Sequence, residues 1–140
     1  MKRIIIICSL LIVVIFLLPA FFPGRVPPVE ITRQRMAFDR VRILEYGHVH
    51  GQLPPDLAAL PRMALKPEAD HYLEDAWHRR FIYEVESSGT VTLKSLGKDG
   101  VPGGSGDDAD IIFNFPSHNA DGSWIEANYS TYDSYKPLQQ

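Results

Sequence analysis

Apolar residues run almost unbroken from Ile4 to about Phe22, interrupted only by Cys8, Ser9 and Pro19, before the pattern changes to spaced apolar positions. At a rise of about 1.5 Å per residue, about 19 helical residues span roughly 28 Å, close to the hydrocarbon thickness of a bilayer. Residues 1–23 therefore read as a membrane helix or a long signal peptide. The basic start Met1-Lys2-Arg3 and the poor fit of Leu18-Pro19-Ala20-Phe21-Phe22 to a small-x-small cleavage site favour an uncleaved signal anchor, with everything after Gly24 exported. Residues 24–29, with Pro27 and Pro28, form a linker in which proline blocks helix continuation.

Beyond the linker the periodicity is that of a small mixed domain. Ile31, Phe38, Val41, Leu44 and His48 recur at spacings of three, four and seven, which predicts a helix from Glu30 to about His48. Arg33, Arg35, Arg40, Arg42 and Glu45 take the other directions, as a solvated face or as a contact with anionic lipid head groups below the anchor. Gly47 and Gly51 are stop signals. Gln52 to Leu60 fits a turn and a short second helix, with Pro55 near its first turn and Leu57 and Leu60 pointing inward. Met63 to Glu74 lacks a period and reads as a crossing loop. Phe81, Tyr83 and Val85 then alternate through a half-buried strand, Ser87-Ser88-Gly89 turns the chain, and Thr90 to Lys94 returns as its partner. Ile111 to Phe115 makes a third strand. The expected fold class is α+β, a helix on a small three-stranded antiparallel sheet over residues 30–115. In the C-terminal tail, residues 116–140, the aromatic residues Trp124, Tyr129, Tyr132 and Tyr135 follow no clear period.

Between the last two strands lies Ser95-Leu96-Gly97-Lys98-Asp99-Gly100-Val101-Pro102-Gly103-Gly104-Ser105-Gly106-Asp107-Asp108-Ala109-Asp110, with five glycines and four carboxylates. It has no apolar face to bury and too many glycines to propagate a helix, so something outside it must order it. A hard cation is one candidate. Ca²⁺ takes six to eight oxygens, and a glycine-rich loop lets carbonyls turn inward beside Asp99 and one or more of Asp107, Asp108 and Asp110. A solvated acidic loop is the other reading, because the spacing is not that of an EF-hand.

Composition narrows the function classes. The chain has 140 residues and a formal net charge of −3, without a long basic run, so it carries no electrostatic footprint for nucleic acid. Its 45% hydrophobic content is concentrated at the N-terminus, which leaves a modest core for the exported part. Cys8 is the single cysteine, so no intrachain disulfide is possible and a bound metal would supply stability that a small core lacks. Chemical motifs are weak. His48 with His50, and His71 with His78, lack cysteine partners and zinc spacing. Ser117-His118-Asn119 stands without a nucleophile elbow. Gly103-Gly104-Ser105-Gly106 is flanked by carboxylates, which repel phosphate. Trp77 and the strand aromatics read as core.

Several separated segments together resemble the C-terminal domain of the type II secretion system major pseudopilin, the protein G family. They are Tyr46 followed by Gly51-Gln52-Leu53-Pro54, the Leu57/Leu60 pair, Asp75-Ala76-Trp77-His78 before Phe81 and Tyr83, and above all Ser95 to Gly100 with Gly103-Gly104 and Asp108-Ala109-Asp110-Ile111. The resemblance implies a pilin-like, non-enzymatic domain whose loop binds calcium. By motif position Asp99 would supply a side-chain ligand, Leu96 and Val101 backbone carbonyls, and one of Asp107, Asp108 and Asp110 the second carboxylate. It also implies other pseudopilins or secretion-system components as partners, no small-molecule substrate, and a single-pass place in a bacterial inner membrane with the domain in the periplasm. An exported calcium-dependent enzyme or ligand-binding module is the alternative. The chain departs from the family pattern in having no Gly ahead of the apolar run, no Glu within it, Ala76 in place of Pro, and His78-Arg79-Arg80 in place of a Gly-Asn-Pro-like turn. The expectation is a pseudopilin-like domain hung from a simple anchor.

Overall fold

The structure is a computed structural model that describes residues 26–61 and 73–127. The expected anchor, most of the crossing loop, and the tail tyrosines lie outside the described residues. Among the described residues no helix is long and apolar enough to cross a membrane.

Helix α1 runs over Pro28–His50. Pro28 occupies its first turn, where the missing N–H costs nothing, and Glu30 there complements the helix dipole. Gly51, left-handed at φ 69°, closes it with its N–H donated to the Gly47 carbonyl at 2.8 Å. Gly47 is therefore not a stop. It lies inside the helix and is buried.

The buried side of α1 comprises Thr32, Met36, Asp39, Val41, Arg42, Ile43, Leu44 and Gly47. Val41 and Leu44 are core, as their spacing predicts, while Ile31 and Phe38 are only half-buried and His48 is exposed. The arc is wide because α1 is enclosed by more than the sheet. Its polar residues Arg35 and Thr32 meet the 74–76 segment, and Arg42 meets Pro61.

Three strands, β1 (Ile82–Val85), β2 (Thr90–Ser95) and β3 (Ile111–Pro116), form an antiparallel sheet in the order β1-β2-β3. The register sets Ile82 opposite Lys94, Val85 opposite Val91 and Ser95 opposite Ile111. Val91, Leu93, Ile111 and Phe115 face the helix and join Met36, Ile43 and Leu44 in the core. Ile112 and Ile82 face away and are exposed. Val85, expected to be half-buried, is exposed too.

A short 3-10 turn at Leu57–Ala59 stands where the second helix was expected. Asp56 caps it by accepting the Ala59 N–H at 3.0 Å, and Leu57 and Leu60 are buried as predicted. Residues 117–127 fold back on the domain. Ser117 N–H donates to the Gly89 carbonyl, Ile125 N–H donates to Ser117 O, and Trp124 pairs with His118 in an isolated bridge.

Candidate functional site

The loop between β2 and β3 is positioned by a turn that the hydrophobic pattern passes over. Asp75 is 1% exposed. Its Oδ1 accepts the N–H groups of Trp77 and Arg79 at 2.9 and 3.0 Å, and its Oδ2 accepts the Ser95 hydroxyl at 2.7 Å. A buried carboxylate is tolerable only when its lone pairs are met in this way. Ser95 Oγ in turn accepts Gly97 N–H at 3.3 Å, so the end of β2 and the start of the loop are tied to the 75–79 turn. From the other side Arg35 donates to the Glu74 and Asp75 carbonyls at 3.1 and 2.7 Å, and Thr32 Oγ1 accepts Ala76 N–H at 3.0 Å.

Three of the four arginines of α1, Arg35, Arg40 and Arg42, are consequently engaged by the fold. Arg35 anchors the turn. Arg42, 6% exposed, pairs with the fully buried Asp39 at 2.9 Å and donates to Pro61 O. Arg40 lies 5.8 Å from the Phe115 ring centroid, a cation–π distance, and burial lowers its pKa.

Within the loop the backbone approaches itself closely. Gly97, at φ 64°, has no room for a side chain, because a Cβ there would lie 2.6 Å from the Asp108 carbonyl oxygen and 2.7 Å from that of Ala109. Lys98 N–H donates to Asp107 O at 2.8 Å, and Asp110 N–H to Gly103 O at 3.1 Å, which closes the two limbs on each other. Gly106–Asp108 forms a 3-10 turn.

The six residues that the resemblance proposes as ligands are in different states. The Leu96 carbonyl accepts Gly100 N–H at 3.2 Å, which leaves its second lone pair. Asp99 Oδ1 accepts Val101 N–H at 3.0 Å, and Val101 is exposed. The carboxylates of Asp107 and Asp108 have no hydrogen bond or ion pair among the described residues. Asp110 Oδ2 is 3.0 Å from Lys94 Nζ, and that hydrogen bond lowers the Asp110 pKa. Its Oδ1 is buried without a hydrogen-bond partner. Among the described residues no three His, Cys, Asp or Glu side chains gather closely enough to hold a metal ion. A cation here would have to draw on backbone carbonyls beside at most two carboxylates.

The Ser117–His118 pair gives no nucleophile. Ser117 Oγ is 2.7 Å from the Gly89 carbonyl and 2.8 Å from His118 Nδ1. The single hydroxyl proton goes to the carbonyl, which can only accept, so Nδ1 must donate to Oγ and has no lone pair to serve as base. The contact fastens the 87–89 turn to the returning chain.

A helix laid on a three-stranded antiparallel meander, with a glycine and aspartate loop bound back onto the sheet's end, defines a pilin-like α+β domain. The sequence model of the family described as type II secretion system (T2SS), protein G, matches residues 51–114, a segment that includes all three strands and the loop. The match supports a role related to type II secretion. No curated protein matches the chain.

Proposed function

We propose that the chain is a membrane-anchored, extracytoplasmic structural or interaction protein of pseudopilin type, whose β2–β3 loop takes calcium and whose partners are other components of a secretion assembly. The observation that carries the calcium reading is the loop's charge balance. Asp110 has Lys94, whereas Asp107 and Asp108 have no cationic partner among the described residues and Asp99 is engaged only by a backbone N–H. Asp99, one of Asp107 and Asp108, and the Leu96 and Val101 carbonyls are the oxygens proposed to hold the ion. Calcium would supply the positive charge that lets these oxygens converge, and its binding free energy would add to domain stability. Residues 4–22 serve as the anchor in this reading.

Thermal unfolding of the full chain in detergent tests it. Millimolar calcium should raise the melting temperature of the wild type above its value in EDTA, and Asp99→Ala should melt in calcium near the chelated wild-type value. A wild type that melts identically with and without EDTA would reject the calcium reading.

A further inference from the structure

Arg79 joins the turn to the loop in a way that no matched motif explains. Its guanidinium Nη2 donates to the Gly97 carbonyl, and its Nε lies 3.8 Å from Oδ2 of the buried Asp75. The side chain lies alongside Gly100, where a Cβ would sit 3.2 Å from both Cζ and Nε of Arg79. The two limb positions it touches, Gly97 and Gly100, both have positive φ, at 64° and 73°. The guanidinium thus adds a side-chain donor to a stretch of loop backbone otherwise held by the Gly97-to-Ser95 and Gly100-to-Leu96 hydrogen bonds and by the Lys98-to-Asp107 bond between the limbs.

We propose that Arg79 is a positioning residue that pre-forms the Ser95–Gly100 limb, and so sets how tightly the loop takes a divalent cation without itself touching the ion. The effect on affinity rests on the calcium reading above; the clamp itself does not. Two consequences of Arg79 oppose each other. A positive charge near a cation site repels the ion, while a limb already folded spares the ion the work of ordering it. Asp75 decides the balance. Its carboxylate, 1% exposed, stands beside the guanidinium and cancels its charge locally, so the ordering effect prevails.

The signs of the two effects make the test decisive. Calcium titration of the full chain in detergent, followed by calorimetry, should show Arg79→Ala binding about tenfold or more weakly than wild type, as removal of an outer partner of a metal site does. Arg79→Lys keeps the charge but loses the planar fork, and should fall between the two. Unchanged or tighter binding by Arg79→Ala, or wild-type affinity in Arg79→Lys, would overturn the proposal. Amide exchange in EDTA reads the clamp without any ion: the Gly97 and Gly100 N–H groups should be protected in wild type and exchange at least tenfold faster in Arg79→Ala. Equal exchange would reject the clamp. A wild type that binds no calcium yet shows this difference would reject the calcium reading and the affinity effect together, leaving Arg79 as the limb's own cation.

Discussion

At the scale of single residues, His78 stands in the left-handed region at φ 64°, the only non-glycine among the described residues with positive φ. The family pattern has glycine in the corresponding turn, and the turn here keeps that backbone shape although the side chain has changed. An L-residue with a Cβ in this conformation costs roughly 1–2 kcal/mol, partly offset in a glycine variant by greater freedom of the unfolded chain. His78→Gly should therefore stabilise the domain by about 0.5–1 kcal/mol and raise its melting temperature by a few degrees. His78→Ala, which keeps the Cβ, should show no such gain in the same unfolding measurement; equal gains would mean that the side chain, not the backbone, is at fault. Asp75 is the other residue that reading by pattern passes over. Its value lies in partners two, four and 20 positions away. An Asp ahead of two free amides is a turn signal in any sequence, but nothing in the sequence alone says that Ser95 would meet its second oxygen.

Between elements, the decisive contact is Trp124 against α1. A Cβ on Gly47 would lie 2.3 Å from Trp124 Cζ3, so the indole ring occupies the notch that the missing side chain leaves. Gly47→Ala should destabilise by about 1–3 kcal/mol from overpacking, although alanine favours a helix by about 1 kcal/mol. In a Trp124→Ala background the same substitution should become neutral or stabilising, because only the propensity remains. A double-mutant cycle in urea measures this reversal, and additive effects would show that the notch and the ring are uncoupled. The helix, the three strands and the burial of Leu57 and Leu60 were legible from spacing, whereas the short second helix expected there is a single 3-10 turn. The role of Gly47 was not, since a glycine near a helix end signals a stop, and only the returning 117–127 segment shows why this one lies within the helix.

Across the whole molecule, the buried Asp39–Arg42 pair couples stability to pH. Burial pushes the Asp39 carboxyl up to about 7, against the pull of Arg42 and Arg35. Its Oδ2 has no hydrogen-bond partner, so the ionised form is incompletely satisfied. The folded state therefore holds the Asp39 proton more tightly than the unfolded chain, whose carboxyl ionises near pH 4. The resulting stability is fully present below about pH 4 and is lost as pH rises towards about 7. Urea unfolding in EDTA should show wild type less stable at pH 7.5 than at pH 5. Asp39→Asn should remove most of that difference, and an equal decline in both proteins would clear Asp39 of responsibility.

The order of elements, the sheet, the α+β class and the position of the acidic loop follow from local periodicity and from glycine and proline placement, which act within a few residues and so can be read along the chain. Which arginine is buried, which glycine receives an indole and which carboxylate ties the turn to the loop depend on residues tens of positions apart. Only the closing of the helix, the 74–79 turn and the sheet around one another brought those groups within hydrogen-bonding distance.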